Sequence, residues 1–99
     1  MNINANFIGG VWTRAIDARP NINPSNTGDI VGYYAEATTE DVKGAAEAAR
    51  NIASSWATAA LGTRALLLQK VADLIDSHRA ELALLLSREE GKALRDATA

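Results

Sequence analysis

The sequence contains no cysteine among its 99 residues. This absence excludes a disulfide scaffold, a zinc site built on thiolates and a cysteine nucleophile within the chain. A chain without disulfides is also compatible with a reducing cytosol.

Long runs of one charge sign are missing as well. Ten basic and twelve acidic side chains give a net charge of −2 and are mixed along the chain, so neither nucleic acid nor a membrane surface is indicated as a partner. The N-terminus lacks the basic and apolar regions of a signal peptide, and no apolar run is long enough to span a bilayer. We expect a soluble, cytoplasmic protein segment.

Histidine is scarce too, and this limits the possible catalytic sites. The single histidine, His78, is not close in sequence to Ser54, Ser55 or Ser87, so an activated serine nucleophile is not indicated. Asp73 and Asp76 together with His78 would make a poor metal site, because solvent exposure or helix capping explains such residues better.

The adjacent carboxylates Glu89 and Glu90 are a second candidate for acid–base chemistry. Neighbouring residues on a helix point in different directions, so a solvated helix end is the simpler interpretation. Gly91-Lys92 resembles part of a phosphate-binding loop. That motif needs a glycine at the position of Leu86 and Ser or Thr at the position of Ala93, so we interpret Gly91 as the C-terminal cap of a helix.

The residues that are present describe one small globular domain. Hydrophobic residues make up 47% of the chain and charged residues 22%, which is ordinary usage and argues against disorder. The first third is β-like, and we expect two hairpins over residues 5–35. Gly9-Gly10 separates two short apolar segments and predicts a type I′ hairpin.

A second hairpin is predicted around the turn Pro24–Gly28. Pro24 fixes its own φ, the side chains of Ser25 and Asn26 can bond to their own backbone, and Gly28 tolerates a positive φ. The flanking extended segments are Ile22 and residues 29–35, and Arg19-Pro20 is expected to interrupt the chain before them.

Three helices and the start of a fourth follow. Their expected ranges are 39–57, 63–76, 78–90 and 93–99. Thr38 with Asp41 predicts a capping box for the first helix, Thr63 a cap for the second, and Asp76-Ser77 a cap for the third.

The apolar faces of the second and third helices are wider than one stripe. Such helices need partners on more than one side. In combination with the unfinished helix at 93–99, this indicates a piece of a larger fold. The second helix carries its main stripe at Leu67, Leu68, Val71, Leu74 and Ile75.

An ordered series of segments extends over essentially the whole chain: residues 6–12, 22–31, 37–42 with the helix that follows to Trp56, 64–68, 72–75 and 90–92. In this order the segments resemble the N-terminal segment of an NAD(P)-dependent aldehyde dehydrogenase. The branch that the chain resembles most is the bacterial semialdehyde dehydrogenases, including those that act on α-ketoglutaric semialdehyde.

The resemblance implies an α+β segment: two N-terminal β-hairpins and about three α-helices. It would be an incomplete piece of the α/β Rossmann-like coenzyme domain of that fold, with residues 1–99 as its N-terminal part. Family members oxidise an aldehyde through a cysteine thiohemiacetal and pass hydride to NAD or NADP. The catalytic and coenzyme-binding residues would lie beyond Ala99, so no coenzyme is expected to bind this segment alone.

The resemblance also implies one possible metal site. Some family members hold a structural monovalent cation with a backbone carbonyl and an acidic side chain, whose positions correspond here to Ile22 and Glu89. A third ligand would lie downstream, so the site would be incomplete.

Two hypotheses therefore stand side by side. The first is a catalytically inactive N-terminal fragment of an aldehyde dehydrogenase, whose partner is the remainder of that fold. The second is a self-standing helical oligomerisation or interaction module without enzymatic activity, whose wide apolar faces bury in a homo-oligomer.

Overall fold

A computed structural model describes residues 2–99, and Met1 lies outside the described residues. The described chain is α+β, with short strands first and helices after them, as predicted. The strands are β1 (Ile3–Asn4), β2 (Phe7–Ile8), β3 (Val11–Trp12), β4 (Ala18–Ile22) and β5 (Ile30–Ala35). The helices are α1 (Thr39–Thr58), α2 (Leu61–Ser77), α3 (Arg79–Glu90) and α4 (Leu94–Thr98).

The first predicted hairpin is confirmed. Strands β2 and β3 pair antiparallel, with Phe7 opposite Trp12 and Ile8 opposite Val11. Gly9 and Gly10 have φ of 58° and 83°, and this pair of positive angles is what a type I′ turn requires. The Phe7 and Trp12 rings lie 4.8 Å apart between centroids, which adds an aromatic cross-strand pair.

The second hairpin is longer than predicted. Strands β4 and β5 are neighbours in a three-stranded sheet of order β1-β5-β4. The prediction that Arg19-Pro20 interrupts the chain is wrong, because both residues lie inside β4. Strand β4 is at the edge of the sheet, where a residue without an N–H is tolerated.

Strand β1 was not predicted from the sequence. It is only two residues long and pairs parallel with β5, with Ile3 opposite Tyr33. The Asn4 side chain donates to the Tyr33 carbonyl at 3.1 Å. A pairing across 30 residues leaves no local signature in so short a segment.

The N-terminus of α1 is the predicted capping box. The Thr38 hydroxyl accepts from the Asp41 N–H at 3.1 Å, and the Asp41 carboxylate accepts from the Thr38 N–H at 2.8 Å. The Thr38 N–H and the Thr38 hydroxyl both donate to the Asp41 carboxylate, and these two bonds hold the pKa of Asp41 below its ordinary value.

The other two predicted N-terminal caps are wrong. Helix α2 already begins at Leu61 after Ala60, which makes no side-chain capping bond, so Thr63 lies inside the first turn. Helix α3 follows His78 without a side-chain cap, because the Ser77 hydroxyl donates backwards to the Leu74 carbonyl and Asp76 accepts from Arg79.

The contacts divide the chain into two compact units, which we describe separately. One comprises the residues up to Pro20 with Gly32–Ala59, and the other comprises Asn21–Val31 with Ala60–Ala99. In the first, the β2–β3 hairpin contacts α1. In the second, α3 contacts both α2 and α4.

The apolar faces are largely uncovered. Within residues 2–99 only Ala83 is buried, with 3% of its surface exposed. On α3, Leu82 and Leu86 have 40% and 38% of their surface exposed. No helix of the described part combines the length and apolarity needed to cross a membrane.

Candidate functional site

The turn between β4 and β5 is held together by its own polar groups. The Asn23 side-chain oxygen accepts from the Ser25 N–H at 2.9 Å, and the Asn26 side-chain oxygen accepts from the Gly28 N–H at 3.3 Å. The Asn23 N–H donates to the Asp29 carbonyl at 3.0 Å and closes the loop. Asparagine forms such turns readily because its short side chain reaches the backbone two residues on.

The C-terminus of α3 is shaped by a glycine, as predicted. Gly91 has φ of 81°, in the left-handed region, and its N–H donates to the Ser87 carbonyl at 2.8 Å. The Ser87 hydroxyl donates to the Lys92 carbonyl at 2.7 Å. Gly91 therefore ends the helix with a bond to the Ser87 carbonyl, and the Ser87 side chain ties the helix to the residue that follows the cap.

The turn and the end of α3 are joined by side chains, and we call these residues, 21–29 and 87–91, the turn–helix cluster. Arg88 and Asp29 form a bidentate ion pair, in which Arg88 Nη2 donates to Asp29 Oδ1 at 2.6 Å and Arg88 Nε donates to Asp29 Oδ2 at 2.9 Å. The Asn23 amide donates to the same carboxylate at 3.1 Å. The Arg88 and Asn23 hydrogen bonds lower the pKa of Asp29 to about 2.

Gly91 brings the backbone of α3 against the turn. The Ser25 hydroxyl donates to the Gly91 carbonyl at 2.8 Å. A Cβ atom at position 91 would lie 2.7 Å from the Ser25 Oγ and 2.9 Å from the Pro24 Cγ. The close approach therefore requires a residue without a side chain as well as a positive φ.

The two residues of the expected cation site are connected through Asn21. The Glu89 Oε1 accepts from the Asn21 amide at 2.7 Å, and Ile22 is the next residue and the end of β4. Residues 2–99 contain no group of three or more His, Asp or Glu side chains that could hold a metal ion. One carbonyl and one carboxylate are too few ligands for a cation, so the site stays a prediction.

None of Gly9, Gly10 and Gly91 lies in a phosphate-binding loop. A phosphate cradle needs backbone N–H groups at the start of a helix after a glycine-rich loop. Gly91 lies instead at the end of α3, and the paired glycines Gly9 and Gly10 lie in a hairpin.

Asp73, Asp76 and His78, which the sequence does not favour as a metal site, are surface residues with local partners. His78 Nδ1 lies 3.2 Å from Glu81 Oε2, Asp76 pairs with Arg79, and Asp73 accepts from the Gln69 amide at 2.9 Å. These contacts are exposed and span three or four residues of one chain segment. These local partners account for the presence of all three polar side chains, so no bound metal ion is needed to explain them.

The family assignment follows from comparison of the whole sequence. A model of the aldehyde dehydrogenase family matches residues 12–99. The chain belongs to the aldehyde dehydrogenase family.

Relatives in this family include semialdehyde enzymes. The chain is 36% identical over 98 residues to an alpha-ketoglutaric semialdehyde dehydrogenase of Bacillus subtilis, covering 97% of this chain and 20% of that protein. It is 41% identical over 91 residues to a mitochondrial aldehyde dehydrogenase of Sus scrofa, covering 87% of this chain and 17% of that protein.

Solved aldehyde dehydrogenases have the same fold over this segment. An NAD-dependent aldehyde dehydrogenase from Sinorhizobium meliloti superposes with a TM-score of 0.89 at 33% identity, covering 98% of this chain and 20% of that one. A betaine aldehyde dehydrogenase from Staphylococcus aureus, in complex with NAD+, gives 0.86 at 32% identity, covering 95% and 20%. The chain thus spans about a fifth of the length of the relatives it matches and corresponds to the N-terminal part of aldehyde dehydrogenase structures.

Only part of the turn–helix cluster could be predicted from the sequence. Asn23, Pro24 and Gly91 carry local signals for a turn and a helix cap. Asp29 and Arg88 are 59 residues apart, and nothing in the sequence pairs them. Ser25 was expected to bond within the turn, but its hydroxyl donates to the end of α3 instead.

Proposed function

We propose that this chain is the N-terminal part of the coenzyme-binding domain of an NAD(P)-dependent aldehyde dehydrogenase that oxidises a semialdehyde, and that its role there is structural. The observation that carries the proposal is the superposition of nearly the whole chain on one fifth of an NAD-dependent aldehyde dehydrogenase. The semialdehyde is supported by the Bacillus subtilis relative, whose name specifies one.

The partner is the remainder of the aldehyde dehydrogenase fold. The stripe of α2 supports this, because between 47% and 62% of the surface of each of its five large apolar side chains is exposed. Full burial of one such side chain is worth about 1.5–3 kcal/mol, so the uncovered stripe represents several kcal/mol of stabilisation that a partner would supply. The residues of the stripe are Leu67, Leu68, Val71, Leu74 and Ile75.

We also propose that Ile22 and Glu89 contribute ligands to a structural monovalent cation site of the complete fold. The Asn21–Glu89 hydrogen bond supports this, since it brings the carboxylate next to the residue that precedes Ile22. Further ligands would come from the remainder of the fold. The cation would neutralise Glu89 and would take no part in chemistry.

The proposal is tested by replacing the matching segment of the Bacillus subtilis relative with this chain. We expect a soluble chimaera that reduces NAD or NADP with α-ketoglutaric semialdehyde. The matched control is the same chimaera with Leu67→Glu and Leu74→Glu, which should lose solubility or activity because the stripe can no longer be buried. A wild-type chimaera that is no more soluble or active than this control would overturn the proposal.

The alternative is a self-standing module in which the same stripe is covered by further copies of the chain. Light scattering of the purified 99-residue protein distinguishes the two. Association to one defined oligomer size would favour the module, whereas heterogeneous association favours the fragment. Fractionation of cells that express the chain tests the expected cytoplasmic location.

A further inference from the structure

We draw no further inference here: the strongest candidate, the apolar groove that Ala72, Leu82 and Ala83 line between α2, α3 and α4, belongs to the surface already assigned to the remainder of the fold, and nothing in the structure shows which segment covers it.

Discussion

At the scale of single residues, we expect a substitution of Gly91 to lower the free energy of unfolding more than one at other positions. Gly91→Ala places a methyl group against Pro24 and Ser25 and puts a non-glycine residue at φ of 81°. The backbone conformation alone costs about 1–2 kcal/mol, and the steric conflict adds to it. We expect the free energy of unfolding, measured by urea denaturation, to fall by about 2 kcal/mol or more.

The matched control for this prediction is Gly10→Ala. Gly10 has nearly the same φ, 83°, but apart from its two chain neighbours no described residue lies within 4 Å of the position a Cβ would take. In this variant the free energy of unfolding should fall only by the about 1–2 kcal/mol that a positive φ costs a residue with a side chain. If both variants lose the same amount, the contact between Gly91 and the turn does not contribute to stability.

The ion pair of Asp29 should make stability depend on pH in acid. Its pKa falls from 3.8 to about 2 on folding, so the contribution is fully present above about pH 4 and is lost as the pH drops through about 2. In Asp29→Asn this part of the acid dependence should disappear. The measurement is the free energy of unfolding against pH between about 4 and 2, compared with the wild-type chain.

Arg88→Lys provides the companion variant for the pH prediction. Lysine keeps the charge but cannot form the two parallel bonds that Arg88 makes to Asp29, so an intermediate slope is expected. A wild-type slope in Asp29→Asn would show that other carboxylates carry the acid dependence.

At the scale of elements, the structure separates a true helix cap from an apparent one. Thr38→Ala removes the hydroxyl that accepts from the Asp41 N–H and should cost about 1 kcal/mol of unfolding free energy. Thr63→Ala changes a residue inside the first turn of α2 and should be close to neutral. Urea denaturation of the two variants decides this, and equal losses would contradict the capping assignment.

The stripe of α2 gives a second prediction for an element. Val71 lies near the centre of the stripe and 47% of its surface is exposed, so Val71→Lys should leave the helix content unchanged. Self-association of the isolated chain should weaken by about tenfold, because roughly 1.5 kcal/mol of apolar burial is lost. Light scattering over a range of concentrations measures the association, and circular dichroism measures the helix.

Leu66→Lys is the control for that variant. Leu66 is also exposed, at 60%, but helical geometry places it about a third of a turn or more from the centre of the stripe. It should weaken association less than Val71→Lys. Equal effects would mean that the helix associates through no particular face.

These elements also show which features of the fold a sequence can predict. The Thr38 cap, the Gly9-Gly10 hairpin and the Gly91 cap depend on groups within a few residues of each other, and all three are confirmed. The inclusion of Pro20 in β4 depends on that strand lying at a sheet edge, and β1 depends on pairing with β5. Neither fact is contained in the local pattern.

At the scale of the whole molecule, the purified chain should not oxidise aldehydes. It has no cysteine to form a thiohemiacetal. We therefore expect no reduced nicotinamide above the no-protein control when the chain is mixed with a semialdehyde and NAD or NADP. Absorbance of the reduced coenzyme is the measurement, and activity that survives dialysis and a second purification would contradict this expectation.

The candidate cation site also depends on the complete fold. The sequence resemblance named Ile22 and Glu89, and the structure connects them only through Asn21. We expect the further ligands of a cation shared by these two residues to come from the remainder of the fold. A site assembled from distant segments cannot be derived from one of them.

The ion pair between the turn and α3 has a consequence for synthesis on the ribosome. Asp29 and Arg88 are separated by 59 positions, and ribosomes add about 5–20 residues per second. Arg88 is therefore synthesised roughly 3–12 s after Asp29. During that interval the turn can be held by its own hydrogen bonds, including those of Asn23 and Asn26, and by the pairing of β4 with β5. We therefore expect Asn23 and Asn26 to favour the turn conformation to which Arg88 binds once it has been synthesised.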